Sequence, residues 1–241
     1  MPIVMKPAVL AEIYGKVKAK IDAREIPTTF IESGQYLYRS INPKSPYTYL
    51  PQPTVGTHVS KAQANKLLIP GDGALDLKNR FSGPSGNAVI PPASGIYCVL
   101  QQQALVNESV HYGIKVPKWT LNGRCVLRIC VMGRLMAADL SPHNPATRRF
   151  LRELGKNVWE KMTDSDDCSV ARGIGLAVAH SGFLQALCVQ TVRESERSEE
   201  ERGDNLVLFA PAGQPVPSVY IDQVSYYGKV AEPQLFPVMF P

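Results

Sequence analysis

The 241-residue chain has no Cys-x-x-Cys pair. Its five cysteines, Cys98, Cys125, Cys130, Cys168 and Cys188, are odd in number and sit mostly in apolar surroundings, so they read as buried free thiols rather than a disulfide framework. The four histidines, His58, His111, His143 and His180, stand apart from one another and from cysteine at metal-ligand spacing, which removes a zinc centre from the expectations. A phosphate-binding Gly-Lys-Ser/Thr loop is absent as well. Gly71-Asp-Gly73 and Gly173-Ile-Gly175 open like a dinucleotide fingerprint, but Asp76 and Val178 stand where its third glycine belongs. Gly83-Pro-Ser-Gly86 approaches a nucleophile elbow, yet Asn87 replaces the closing glycine, so a turn is the simpler reading and serine hydrolysis is discounted. There is no run of about 18 apolar residues and no basic segment leading into an apolar one at the start. The expectation is a soluble, cytoplasmic protein with no membrane partner; delivery into a target cell by dedicated machinery would leave no mark of this kind.

What the chain does have is an ordinary globular composition, 44% hydrophobic and 20% charged, with a net charge of +5. Five Glu and two Arg between Glu194 and Arg202 give that stretch −3, which leaves +8 (5 minus −3) for the remainder. A surplus of that size attracts a polyanion or a dinucleotide, but no dense Lys/Arg run marks a nucleic-acid arm. Twenty prolines and 18 glycines interrupt the chain often and demand abundant loops.

Val9, Ile13, Val17 and Ile21 recur every fourth residue, which predicts an amphipathic helix over 7–24. Gln35 to Ser40 reads as an aromatic strand ended by Asn42-Pro43 and Ser45-Pro46. The stretch 41–95 is rich in Pro and Gly and offers only a short helix near 60–68. Beyond it, strands are expected over 95–100, 124–132, 186–191, 205–210 and 219–226, and helices over 101–112, 145–162 and 167–181. Strands interspersed with a few helices imply an α+β domain with a mixed, mainly antiparallel sheet.

Candidate chemistry lies in a dispersed set. Arg39 and Arg80 offer planar forks of donors suited to a pyrophosphate, Tyr38 and Tyr97 offer flat faces for a heterocycle, and Glu108 stands in a helical stretch with Leu105, Val106 and Val110 and few other charges. One carboxylate beside such a pocket stabilises an oxocarbenium-like sugar cation, which suits N-glycosidic cleavage of a dinucleotide. By residue type alone, two surface arginines and an exposed helical glutamate are the commoner explanation.

The order of these residues resembles the RES domain, a bacterial toxin family named for its Arg, Glu and Ser. Leu37-Tyr-Arg-Ser40 is similar to the family's opening Tyr/Arg strand, and Asn79-Arg-Phe-Ser-Gly-Pro84 to its Gly-Arg-Trp-Asn turn, with Phe81 and Ser82 in place of Trp and Asn. Gly95 to His111 resembles the strand-to-helix segment in which a Tyr is followed eleven residues later by a Glu, here Tyr97 and Glu108. Arg134 to Leu140 resembles a strand ending in Asp-Leu, and Gly203 to Phe209 the late Asn-Leu-Val-Leu-Phe strand.

The resemblance implies a fold like ADP-ribosyltransferase toxins, formed by a catalytic domain over 31–241 with an N-terminal helical extension over 1–30. It also implies an enzyme that hydrolyses NAD+ to nicotinamide and ADP-ribose. By the same carry-over Arg39 and Arg80 hold the NAD+ phosphates, Tyr38 and Tyr97 contact the nicotinamide end, and Glu108 orients the ribose. Thr191 stands near the position of the family's serine, with Ser195 as a second candidate. NAD+ is then substrate rather than cofactor, no metal is required, and an antitoxin or immunity protein covers the active site. Two other readings stay open: transfer of ADP-ribose to a protein or nucleic acid, and a non-enzymatic nucleic-acid module using Tyr36, Tyr38 and Arg39 or Lys118 and Trp119. Val106, two residues before Glu108, occupies a position where many protein-directed transferases carry Glu or Gln, which leans towards hydrolysis.

Overall fold

The computed structural model describes residues 5–44, 50, 58–71, 79–101, 124–141, 144–163, 167–190, 204–227 and 234–239. Among them, ten strands join in one mixed, mainly antiparallel sheet. They are β1 (Thr28–Ile31), β2 (Tyr36–Ile41), β3 (Val59–Ser60), β4 (Ser94–Val99), β5 (Arg124–Val131), β6 (Leu135–Leu140), β7 (Ala186–Gln190), β8 (Asp204–Ala210), β9 (Val219–Tyr227) and β10 (Gln234–Met239). Their order is β1-β6-β7-β8-β4-β2-β5-β9-β10-β3, with β6·β7 and β10·β3 parallel. The α+β class expected from the sequence is therefore present.

One long ribbon organises this sheet. Ile31 of β1 pairs with Leu135 of β6, and Tyr36 of β2 pairs with Cys130 of β5, so five residues gained on one chain match five lost on the other. The two ladders share a single antiparallel register, interrupted only at 32–35 and 131–134. Yet β1 and β2, like β5 and β6, lie five places apart in the sheet. Flat, five strand spacings measure roughly 24 Å, whereas the four residue steps from Val131 to Leu135 reach at most about 14 Å. The sheet must bend sharply at the ribbon, so that strands β1-β6-β7-β8-β4 and strands β2-β5-β9-β10-β3 form two connected layers. Backbone bonds at the bend hold it, with the Gly34 amide donating to the Val131 carbonyl at 2.8 Å and the Val131 amide to the Gln35 carbonyl at 3.0 Å. Gly34 takes φ +84°, where a Cβ would be strained.

The inner face of the bend is apolar. Leu37 and Ile41 (β2), Ile96 and Cys98 (β4), Leu127 and Ile129 (β5), Ala137 (β6), Leu206 and Leu208 (β8) and Val224 (β9) form one cluster, alternating along each strand as the period of two requires. Helix α2 (Lys61–Leu67) adds Ala64 and Leu67 to it. That helix starts at a capping box, with the Ser60 hydroxyl accepting from the Gln63 amide and the Gln63 side chain accepting from the Ser60 amide.

The outer face of the first layer is covered by helices α1 (Pro7–Asp22), α3 (Pro145–Leu154), α4 (Val158–Thr163) and α5 (Ser169–Ala179). Helix α1 buries the predicted stripe as Leu10, Ile13, Val17 and Ile21, with Val9 only partly covered. It lies in the same core cluster as α5, and residues 28–31 supply the edge strand β1. Residues 7–22 thus enter the core and residues 28–31 the sheet, and a boundary at 30/31 cuts through β1. The single helix expected over 145–162 is two, because Gly155 (φ +150°) and Asn157 (φ +56°) leave the helical region. Of the helix expected over 101–112, residues 102–112 lie outside the described residues.

Helix α5 is buried almost all round. Its Gly173-Ile-Gly175 is a packing device rather than a phosphate loop: a Cβ on Gly173 would sit 2.8 Å from the Leu10 carbonyl of α1, and one on Gly175 would overlap the Phe81 carbonyl. Substituting Gly175→Ala is expected to lower stability by about 1–3 kcal/mol through overpacking. Gly15→Ala, on α1 with nothing within 4 Å of the added methyl, is expected to raise it by about 1 kcal/mol. Thermal or urea denaturation of the two variants beside the wild type measures both; equal effects would contradict the close approach of Phe81 to α5.

Candidate active site

The two layers meet at β4 and β2, where the described ladder is a single register pair, Tyr38↔Val99. β4 itself pairs fully with β8, from Ser94↔Ala210 to Val99↔Asn205. The seam is therefore the place where one layer peels from the other; Tyr38 lies at it, opposite Val99, with Tyr97 two residues along β4.

Tyr97 projects to the helix-covered face, between Ile96 and Cys98, which turn inward. Gly95 precedes it on that face, where a Cβ would approach Val207 Cγ1 to 3.0 Å, so glycine lets β8 pack closely beneath Tyr97. The Tyr97 hydroxyl accepts a hydrogen bond from the Phe81 amide at 2.7 Å. This bond ties the 79–84 turn to β4. Phe81 is buried in the helix-side core, and the neighbouring Arg80 guanidinium donates to the Met162 carbonyl of α4 at 3.1 Å. From behind, Arg172 of α5, fully buried, donates to the Asn79 and Pro84 carbonyls at the two ends of the turn. Charge-assisted bonds to both ends, with Phe81 seated against Gly175, fix the conformation of the segment that presents Arg80.

Tyr38 and Val99 share a face because they are register partners, and Val99 and Tyr97 share one because they are two residues apart. Tyr38 and Tyr97 are thus diagonal neighbours, roughly 7–8 Å apart in a regular pair. Tyr38 and Tyr97 come together on the outer side of the seam, and the bond from the Phe81 amide to Tyr97 ties the turn that carries Arg80 to the same side of β4. Arg39 does not join them. Its strand neighbours Leu37 and Ile41 face the inner core, and its guanidinium donates to the Leu67 carbonyl at the end of α2 at 3.2 Å. Glu108, Thr191 and Ser195 lie outside the described residues.

On the second layer the outer face carries polar and aromatic groups. Arg128 of β5 makes a two-pronged bond to Asp222 of β9, with its guanidinium carbon 4.7 Å from the Tyr36 ring centroid. Arg124 donates to the Ser40 hydroxyl at 3.1 Å.

Sequence reasoning missed a second polar locality, on the inner side. A cavity of about 320 Å³ opens between β1, β6, β7 and β8, lined in part by Asp139, Asp204, Cys188 and Asn144. The signal was available: Asp139 and Asp204 each fall in phase with inward apolar residues, Ala137 and Leu206, so alternation alone turns both carboxylates inward. Among the described residues no group of three or more His, Cys, Asp or Glu is placed to hold a metal ion, and no helix is long and apolar enough to cross a membrane.

All five cysteines are free and buried. Burial pushes the Cys98 thiol up to about 12, opposed by the positive charge of Arg39, and pushes Cys125 up to about 12 as well. Burial also raises Cys188 well above the ordinary range, and Asp204 and Asp139 add to the shift. Thiols with raised values stay protonated near neutrality and are poor nucleophiles. Iodoacetamide at pH 8 is accordingly expected to leave Cys98, Cys125 and Cys188 unmodified in the native protein and to modify all five cysteines in denaturant, as read by peptide mass spectrometry. Rapid native labelling of Cys98 would contradict its place in the inner core.

No protein-family model, no curated protein and no solved structure matches the chain.

Proposed function

We propose that the chain is an NAD+ glycohydrolase with a fold like ADP-ribosyltransferase toxins, which arrests growth by depleting NAD+ and is held in check by an antitoxin or immunity protein over its active site. The observation that carries the reading is the Tyr97 hydroxyl on the Phe81 amide at 2.7 Å. That bond joins two segments, 79–84 and 95–100, that the sequence alone paired with successive motifs of the RES family. Tyr38, from a third such motif, lies diagonally beside Tyr97.

In this reading NAD+ binds at the seam. The Arg80 guanidinium, already presented by a braced turn, takes the pyrophosphate, and the tyrosines flank the nicotinamide end. The glycosidic bond between ribose C1′ and the pyridinium nitrogen breaks, and its electron pair neutralises the ring, which leaves as nicotinamide. Positive charge develops on the ribose, where Glu108 stabilises it, and water adds at C1′ to give ADP-ribose after loss of a proton. Arg39, on the other face, serves the fold by closing the end of α2 rather than sharing the same pyrophosphate with Arg80.

The test is release of nicotinamide from NAD+ by purified protein. Glu108→Gln is expected to lower the rate by about 100-fold or more, and Arg80→Lys to lower kcat/KM by about tenfold, the value of one lost charge-assisted bond. Arg39→Lys is expected to change stability more than turnover. No nicotinamide release by the wild type, or undiminished release by Glu108→Gln, sinks the proposal. Labelled NAD+ in a lysate separates hydrolysis from ADP-ribosyl transfer, since transfer leaves label on a macromolecule.

A second reading, single-stranded nucleic-acid binding, has one observation in its favour, the aromatic and cationic outer face of β2 and β5 with Tyr36 41% exposed. The Asp222 carboxylate already occupies Arg128, which weakens that face as a phosphate binder and ranks the reading second.

A further inference from the structure

Arginine is an unfavourable residue to bury, and Arg172 is 1% exposed on a helix whose residues from Ser169 to Val178 are all buried. What its guanidinium bonds is therefore informative. One terminal nitrogen donates to the Asn79 carbonyl and the other to the Pro84 carbonyl at 3.3 Å. These carbonyls stand at the two ends of the 79–84 turn. A rigid planar fork fixes the separation of two such acceptors, which a lysine ammonium on its flexible stem cannot do.

The brace falls on the peptide group next to Arg80. The Asn79 carbonyl belongs to the planar unit that precedes Arg80, and the Phe81 amide, which donates to the Tyr97 hydroxyl at 2.7 Å, belongs to the unit that follows it. Both planes flanking the Arg80 Cα are thus anchored, one to α5 and one to β4, and together they set the direction in which its side chain leaves the backbone. The turn itself opposes this arrangement. Gly83 takes φ +124°, and the Ser82 hydroxyl is fully buried with no hydrogen-bond partner among the described residues. An orphaned buried hydroxyl favours any rearrangement that would satisfy it, so the turn holds its shape through its outside anchors.

We infer that Arg172 is a positioning residue for substrate binding: it acts through the 79–84 turn to aim Arg80 at the pyrophosphate. The inference rests on the NAD+ reading and deepens it, since it makes affinity for the diphosphate depend on a side chain that is buried behind the turn. Arg80 holds the pyrophosphate alike in the ground state and the transition state, because the bond that breaks lies at the far end of the ribose. Misaiming it therefore raises KM and leaves kcat in place.

Nicotinamide release by the full-length protein, with KM and kcat determined separately, is the assay. Arg172→Met places an unbranched apolar chain in apolar surroundings and is expected to raise KM for NAD+ by about tenfold, the value of one charge-assisted hydrogen bond, with kcat within about twofold of the wild type. Arg172→Lys keeps the charge and one reachable carbonyl and is expected to fall between the two; it carries the test if Arg172→Met does not fold, as read by circular dichroism. The decisive comparison is a double-mutant cycle. In an Arg80→Ala background no guanidinium is left to aim, so either substitution at Arg172 is expected to leave kcat/KM within about twofold of that background. An arginine that merely supports the fold would lower both backgrounds alike. Hydrogen exchange gives a readout without substrate: the Phe81 amide is expected to exchange at least about tenfold faster in Arg172→Met, while the Leu127 amide of β5 keeps its protection. Equal losses in the two backgrounds, an unchanged KM, or unchanged protection of Phe81 overturns the inference and leaves NAD+ hydrolysis standing. No nicotinamide release by the wild type overturns the NAD+ reading and the inference with it, so the two failures are told apart by the wild type alone.

Discussion

The bent ribbon formed by residues 28–41 and 125–138 is the constraint on which the molecule depends. A two-stranded ladder that keeps one register through a corner forces its two ends into different layers. Everything else follows from that corner: the inner face becomes a closed apolar core fed by both layers, and the parallel β6·β7 pair needs the crossover filled by α3, α4 and α5. β4 is left to meet β2 along a short seam. A sheet of this size laid flat would expose one apolar face over its whole extent; bent, it covers that face with itself and needs helices only on the outside of one layer.

The seam has two sides, and the residues that drew attention in the sequence divide between them. Adjacent positions on a strand point to opposite faces, so Tyr38 and Arg39 were bound to part once β2 formed. The outer side holds Tyr38 and Tyr97, with Tyr97 tied to a turn braced by Arg172; the inner side holds Arg39 near α2 and, two and four strands along, the carboxylates of Asp204 and Asp139.

Elements with strong local signals were legible in the chain. The four-residue recurrence of α1, the alternation in β2, β5, β8 and β9, and the Ser60/Gln63 pair opening α2 each state their structure within a few residues. β1 and β10 were not legible: Thr28 to Ile31 is too short to show a period, and Pro237 argues against a strand whose pairing nevertheless tolerates it. The break at Gly155 and Asn157 was masked by Leu154, Val158 and Met162, whose spacing stays helical across it. Among site residues, the contact of Tyr97 with the 79–84 turn could not be read from types and spacing, since a backbone amide is its partner. Gly173-Ile-Gly175 opened like a dinucleotide fingerprint and failed at Val178; the glycines are there because close backbone approach is what a neighbouring chain segment, like a phosphate, requires.

The ribbon also sets the order in which the protein can be made. Thr28 finds its partner only at Ala138, 110 positions later, and Tyr36 waits for Cys130. A ribosome releasing the chain from its N-terminus therefore emits the first half of the ribbon, with its aromatic and apolar residues, long before the second half exists. Closing a loop of that length carries an entropic cost that no local contact repays first, which places such a topology among the slow folders. During that interval neither the seam nor the inner cavity exists, and the nascent chain is exposed at an unpaired strand, where a chaperone or a second nascent copy would meet it before any folded-state ligand does.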